Sequence, residues 1–418
     1  MVTFTNQPNQ LALFQGRNTV GDERDCVVVT VSGQDRPGIT AAFTRILVDN
    51  NVEILDIEQA SLQDFLGLSF LLDMTGVSHS KDSVLKDLLF EANRLGLTLH
   101  FRLFSEKEVR AKNSKNLFVL TLFGGTRALA EISMILGEEN ANIEMITNLT
   151  HHSANCIELT VNVNRVPSLS QLKQRVMAQG HTLGVDLALQ KMETYRKNKR
   201  LVFFDMDNTL VDMEIIDEMA RLGGVLPEVS RITEKAMRGD LDFQESLTQR
   251  LALLKGLRLE ELERLRDGMK LSEGAEDLVA TLRRFGYGMG LVSGGFQYFA
   301  DHLKHKLELD FACANQLEIK EGALTGRVVG PIVDGPEKAK IVNRVSTEKG
   351  ILLDQTVAIG DGANDVLMLG QAGLGIAYNA KRGLGRVANM SLGRARLMNI
   401  LYVLGICKDE MACCNVLG

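Results

Sequence analysis

The stretch Leu201-Val202-Phe203-Phe204-Asp205-Met206-Asp207-Asn208-Thr209 decides how the C-terminal half of this chain folds. A short apolar run of aromatic and branched residues, closed abruptly by carboxylates, reads as a buried parallel strand. Such a strand delivers its acid groups to the carboxyl edge of a sheet, where open α/β folds place their chemistry. Two carboxylates one residue apart can divide labour: Asp205 attacks an electrophile and forms a covalent intermediate, while Asp207 serves as general acid and then general base. Taken alone the tripeptide also fits a polar turn, because Asp is common there. Its meaning depends on the residues that accompany it.

Two further strand-like runs end in polar, glycine-flanked clusters. Met289 to Val292 is followed by Ser293-Gly294-Gly295, whose hydroxyl and open backbone N–H groups suit phosphate oxygens at a helix start. Val357 to Ile359 is followed by Gly360-Asp361-Gly362-Ala363-Asn364-Asp365. If the three strands are neighbours, Asp205 and Asp361 converge and offer oxygen ligands to a hard cation such as Mg²⁺. Between the second and third clusters, Lys338-Ala339-Lys340 is a source of positive charge for a transferring phosphoryl group. Strands alternating with helices from residue 201 onward predict an α/β fold with a doubly wound parallel sheet. The segment between Leu210 and Ser293 carries Ile216, Met219, Ala220, Leu247, Leu251 and Leu254 at helical spacing, which predicts a small helical cap, about residues 213–284, over the cleft.

D-x-D-x-T, S-G-G, Lys and G-D-G-x-N-D in this order resemble the haloacid dehalogenase superfamily, and the second Asp resembles its phosphatase and phosphotransferase branch. From Asp205 to Asn379 the chain is similar to the phosphoserine phosphatases. That resemblance implies Mg²⁺-dependent hydrolysis of O-phospho-L-serine through an aspartyl phosphate, the last step of serine biosynthesis. It places Mg²⁺ on the Asp205 and Asp361 side chains and the Asp207 carbonyl, with Asp365 in support. Ser293, Gly294 and Lys340 would bind the phosphoryl group, Lys340 being preferred to Lys338 on its spacing to Gly360-Asp361. Glu214, Met237, Phe243, Arg250 and Asn364 are assigned to the substrate: Glu214 can pair with an ammonium, Arg250 can clamp a carboxylate, and Met237 and Phe243 can shield the pair from water. A phosphotransferase acting on another alcohol and a non-catalytic amino-acid sensor are the competing readings.

The N-terminal half has a different rhythm. After the strand-like Cys26 to Val31 comes the turn Gly33-Gln34-Asp35-Arg36-Pro37-Gly38, then helix, strand, strand, helix and strand. Ile46-Leu47, Asn51, Ile54 and Ile57 recur as Ile135-Leu136, Asn140, Ile143 and Ile146, an offset of 89 that predicts a duplicated unit. Residues 27–59 resemble an ACT domain, an α+β (ferredoxin-like) module. The resemblance implies two such regulatory domains, 25–105 and 115–190, followed by the phosphatase domain, 200–418. The second has Gly125-Thr126-Arg127-Ala128 where the first has Asp-Arg-Pro-Gly. Asp35, Arg36 and Gly38 form the expected effector turn, with backbone N–H groups and a flexible glycine suited to an amino-acid carboxylate. L-serine is the implied effector, and a homodimer the implied assembly. The charged run from Lys191 to Arg200 reads as an interdomain junction.

Composition limits the alternatives. With 418 residues, 45% hydrophobic and 24% charged, the chain has room for two or three globular domains. A net charge of -6 argues against a broad footprint for nucleic acid or an anionic membrane. No apolar run approaches the roughly 20 residues of a membrane span. Six cysteines without a C-x-x-C pair fit reduced thiols, so a cytoplasmic location is expected. His151-His152 with Cys156 matches the spacing of no familiar metal site and reads as an exposed turn, while Cys407, Cys413 and Cys414 offer a metal or redox site but read better as a frayed tail.

Overall fold

In this computed structural model, which describes residues 25–77, 80–105, 116–150, 156–379, 390–393 and 396–411, strand Asp25–Gln34 (β1) buries Val27, Val29 and Val31. That period of two marks a strand with one face on a core. The helix Ile39–Asp49 covers this face with Ile39, Phe43 and Leu47, spaced by four along one helical stripe. Strands Glu53–Leu62 (β2) and Phe65–Asp73 (β3), helix Lys81–Arg94 and strand Thr98–Ser105 (β4) complete an antiparallel sheet of order β2-β3-β1-β4. This module lies in the first of two units, residues 1–115; the second is 116–418.

The same order of elements recurs in the second unit: Leu117–Phe123 (β5), helix Thr126–Glu138, Asn142–Asn148 (β6), Cys156–Asn162 (β7), helix Leu169–Leu183 and Asp186–Lys191 (β8). The repetition reaches the backbone. Asn51 and Asn140 both take left-handed φ, 57° and 58°, just past the first helix of each module. Asn tolerates that region better than most side chains. The register then slips between Ile54 and Asp56 in one module and between Ile143 and Met145 in the other. The offset of 89 therefore encodes a turn and a bulge as well as a helix.

In the C-terminal half, all of Leu201–Phe204 (β9) is buried. Val202 and Phe204 join one apolar cluster, Leu201 and Phe203 another, so side chains pointing to opposite faces are both covered. Gly288–Phe296 (β10) and Thr356–Gly360 (β13) flank β9, both parallel to it. Beyond β10 lie Phe311–Lys320 (β11) and its antiparallel partner Ala323–Val329 (β12); beyond β13 lie Leu374–Tyr378 (β14) and Met390–Leu392 (β15). β15 then pairs antiparallel with β8, giving one 11-stranded sheet, β12-β11-β10-β9-β13-β14-β15-β8-β5-β7-β6. The second module thus shares the sheet of the C-terminal half, and the Lys191–Arg200 run lies inside a single unit.

The cap is shorter than its expected 213–284. Val211 bridges to Leu271, which closes the insert at its base. Helices Ile215–Leu222, Leu226–Arg238, Phe243–Leu253 and Leu259–Asp267 lie within that loop. Helix Ala275–Arg284 instead packs on β10 and the C-terminal turns through Leu278, Val279 and Leu282, whose spacing makes an apolar stripe. Among the described residues no helix is long and apolar enough to cross a membrane.

Candidate active site

Parallel pairing of β9 with β10 and β13 brings three carboxyl ends side by side. Asp205 follows β9 and donates its backbone N–H to the Ile359 carbonyl, 2.8 Å away on β13. The carboxylates of Asp205, Asp361 and Asp365, all buried, offer oxygens within 4.8 Å of one another. Gly360 makes the approach possible, since a Cβ there would sit 2.5 Å from Asp365 Oδ2. Asp207 stands apart from this group; its Oδ1 accepts a hydrogen bond of 3.2 Å from the Ile215 N–H at the start of the first cap helix. Burial, and then the charges of Glu214 and Asp205, hold its carboxyl well above the usual carboxylate range. Asp207 is accordingly suited to carry a proton that it can give away.

The lysine at this site is Lys338, a correction of the expected Lys340. Helix Gly335–Glu348 buries Gly335, Lys338, Ile341, Val342 and Val345, one face of a helical period. Lys338 Nζ donates to Asp205 Oδ1 at 2.8 Å and to Asp365 Oδ1 at 2.7 Å. Burial by itself would depress its pKa, but the two carboxylates outweigh that and hold it above the ordinary lysine value. Lys340 lies about 200° further round the helix. Its side chain is 71% exposed and pairs with Glu337 at 3.1 Å, on the face turned away from Asp205. The signal was legible: Lys338 precedes Ile341, Val342 and Val345 by three, four and seven residues.

Three buried carboxylates face one ammonium, which leaves an excess of negative charge in a site of oxygen donors. Asp365 reflects the imbalance, its pKa raised by burial and by the Asp205 charge. Such a donor set fits a hard divalent cation of the Mg²⁺ type, which would compensate what Lys338 does not.

At the end of β10, Ser293 is buried and its Oγ accepts from the Gly295 N–H at 2.9 Å. A Cβ on Gly294 would lie 2.9 Å from Phe243 Cζ, so the cap and the sheet nearly touch here. Asn315, fully buried, donates to the Gly294 carbonyl and accepts from the Val333 N–H, both at 2.8 Å. It fastens the Ser-Gly-Gly turn, and sequence reasoning did not single it out.

Above these groups lies a cleft of about 1080 Å³ lined by Glu214, Met237, Phe243, Arg250 and Asn364, together with Ser293 and Gly294. Arg250 is 8% exposed yet only loosely held, by bonds of 3.3 Å from Nε to the Ser246 carbonyl and 3.5 Å from Nη1 to Thr233 Oγ1. Burial lowers its pKa, while Glu214, Asp217 and Asp207 oppose that shift. Asn208, also missed, takes a left-handed φ of 52° and donates through Nδ2 to Glu214 Oε2 at 2.9 Å. Gln244 on the cap donates to Asp334 on the body at 2.7 Å, tying roof to wall.

The other expected residues are elsewhere. In the first unit, Gly38 has a φ of 95° at the start of the first helix, Asp35 accepts from Ser61 Oγ at 2.6 Å, and Arg36 donates to the Leu95 carbonyl. Cys156 is buried in β7, and burial pushes its thiol up to about 12, which makes it unreactive. His151, His152, Cys413 and Cys414 lie outside the described residues.

Comparison with known proteins places this geometry. Residues 199–373 match the haloacid dehalogenase-like hydrolase family and residues 25–102 match the ACT domain family. Over 92% of its length the chain is 37% identical to the phosphoserine phosphatase SerB2 of Mycobacterium tuberculosis, covering 94% of that protein. Over 75% of its length it is 42% identical to a phosphoserine phosphatase of Archaeoglobus fulgidus, covering 90% of it. Among solved structures, a probable phosphoserine phosphatase from Vibrio cholerae, in unliganded form, aligns with a TM-score of 0.56 at 31% identity, over 72% of this chain and 90% of the other.

Proposed function

This chain belongs to the phosphoserine phosphatase family of haloacid dehalogenase-like hydrolases, and we propose that it hydrolyses O-phospho-L-serine to L-serine and phosphate, with Mg²⁺, as the last step of serine biosynthesis. The observation that carries the reading is Lys338 clamped between Asp205 and Asp365, beneath a roof that holds Glu214 and Arg250 over the same cleft.

An Asp205 carboxylate oxygen attacks phosphorus while the bond from phosphorus to the serine oxygen breaks. Asp207 gives its proton to that oxygen, so serine leaves as the neutral alcohol. Asp207, now ionised, takes a proton from water, whose oxygen attacks phosphorus and breaks the bond to Asp205. Phosphate departs and both carboxyl groups regain their starting states. Lys338 holds Asp205 in place, and the Ser293 hydroxyl and Gly294 N–H receive phosphoryl oxygens. Mg²⁺, when bound, supplies further charge neutralisation at the phosphoryl group; Asp205, Asp361, Asp365 and the Asp207 carbonyl would hold it. Glu214 takes the substrate ammonium, Arg250 its carboxylate, and Met237, Phe243 and Asn364 complete the enclosure.

The ACT-like modules regulate and assemble the cytoplasmic enzyme in this reading. L-serine binds at the Asp35-Arg36-Pro37-Gly38 turn, where the positive φ of Gly38 turns the chain into a helix start, and the chain forms a homodimer. Phosphate release from a panel of phosphomonoesters, with and without Mg²⁺, candidate alcohols and added serine, tests the reaction, the metal and the effector, and sedimentation with and without serine tests the dimer. Phosphoserine should be preferred and Asp205 should become phosphorylated; transfer to an added alcohol in place of phosphate release would replace hydrolysis by phosphotransfer.

A further inference from the structure

The charged run from Lys191 to Arg200 does something a solvated linker does not. Arg196 and Lys199 are 5% and 8% exposed, although no step of the reaction uses them. Burying two cations is costly unless acceptors surround them. Here the acceptors fall short. Arg196 donates through Nη2 to Glu158 on β7, but its Nε is buried with no hydrogen-bond partner. Lys199 donates to the main-chain carbonyl of Asp354. Burial holds its pKa below the ordinary value, despite the charges of Asp354 and Glu193.

Both residues line a second cavity, of about 360 Å³, between the second module and the catalytic part of the shared sheet. Lys173 and Lys191 lie on its module side; Lys191 is already paired with Glu193 at 2.9 Å, whereas Lys173 stands over the Phe118 ring, 5.6 Å from its centre. Cations outnumber carboxylates around this hollow, and its volume is at the lower end of small-molecule pockets.

We propose that this cavity binds a small oxyanion, a metabolite presenting one phosphate or carboxylate group to the Arg196 guanidinium and the Lys199 ammonium, with Lys173 at the rim. A charged acceptor there offsets the positive charge that Glu193 and Asp354, the carboxylates of the lining, leave uncompensated. Its position gives it consequence. Asp354 lies two residues before β13, and the wall residue Leu374 begins β14, so the cavity is at the amino edge of the sheet, opposite the carboxyl end of β13 that carries Asp361. A bound anion ties the second module to the strand on which the catalytic carboxylates depend. The site is separate from the catalytic cleft and does not rest on the proposed reaction.

Calorimetric titration of the full chain with inorganic phosphate in one arm and malonate in the other tests the site and identifies the head group. Phosphate can also enter the catalytic cleft, so the readout is the binding lost in two variants. Lys199→Gln keeps a donor for the Asp354 carbonyl; Lys173→Glu reverses charge on an exposed helical position. Arg196 is left intact because its loss would strand the buried Glu158. At least one anion should bind roughly tenfold or more weakly in both variants, with phosphatase activity in the absence of added anion unchanged. Should Lys199→Gln fail to fold, Lys173→Glu decides alone. Absence of binding in both arms, or equal affinity in wild type and variants, overturns the proposal.

Discussion

On the floor of the cleft, Asp205, Lys338 and Asp365 are buried and the lysine donates to both carboxylates at 2.7 to 2.8 Å, whereas on the roof Met237 is 67% exposed and Arg250 holds its neighbours at 3.3 to 3.5 Å. The floor stands on strand ends and on the buried face of one helix; the roof is a helical insert closed at its base by the Val211–Leu271 bridge and joined to β12 by the Arg258–Ala323 bridge. Under the proposed reaction, the contrast follows from what each surface must do. Charges that stabilise a transferring phosphoryl group gain most when they are fixed before the reaction begins. Groups that recognise the leaving group must exchange weak internal bonds for strong ones to the substrate.

Changes to the floor should therefore act on turnover, and changes to the roof on selectivity. Asp205→Asn should abolish both phosphate release and covalent labelling of the protein by phosphoserine; turnover by that variant would end the nucleophile assignment. Lys338→Met comes next. It leaves two buried carboxylates facing each other, which should cost about 3–5 kcal/mol in denaturant unfolding and nearly all activity. Lys340→Ala, by contrast, should change stability by less than about 0.5 kcal/mol and leave the rate intact. If the two lysines behaved the other way round, the floor would be wrongly built.

For the roof, Arg250→Ala should lower kcat/KM for phosphoserine by about 2–5 kcal/mol, the range for a buried charged contact. Hydrolysis of phenyl phosphate, which has no carboxylate to bind, should hardly change. Equal losses on both substrates would erase the division between floor and roof. The smallest effect is expected of Asn208→Ala, which removes one hydrogen bond to Glu214. It should raise KM for phosphoserine several-fold, about 1 kcal/mol, with kcat preserved.

Much of the floor was readable in advance. The carboxylates after the apolar strand also fitted a polar turn when taken alone, and it was the polar clusters after two further strands, the ones that flank β9, that gave them their reading. Lys338 was lost to an argument from spacing along the chain, when the phase of the helix was the better guide. Asn315 and Asn208 gave no sign, because an Asn that fastens a turn or a neighbouring carboxylate looks like any other polar residue in sequence. Helix Ala275–Arg284 was placed in the cap because amphipathic helices carry no mark of which surface they will cover.

Local pattern therefore settled the strands, the duplicated module down to its left-handed Asn, and the carboxylates at the sheet edge, since each depends on periodicity and turn chemistry within a few residues. Folding in three dimensions settled which lysine meets Asp205, where the cap ends and that β15 joins β8, as well as the burial of Arg196 and Lys199 beside a second cavity. These are pairings between segments far apart in the chain, and their energy comes from desolvation and contact, which no local pattern contains.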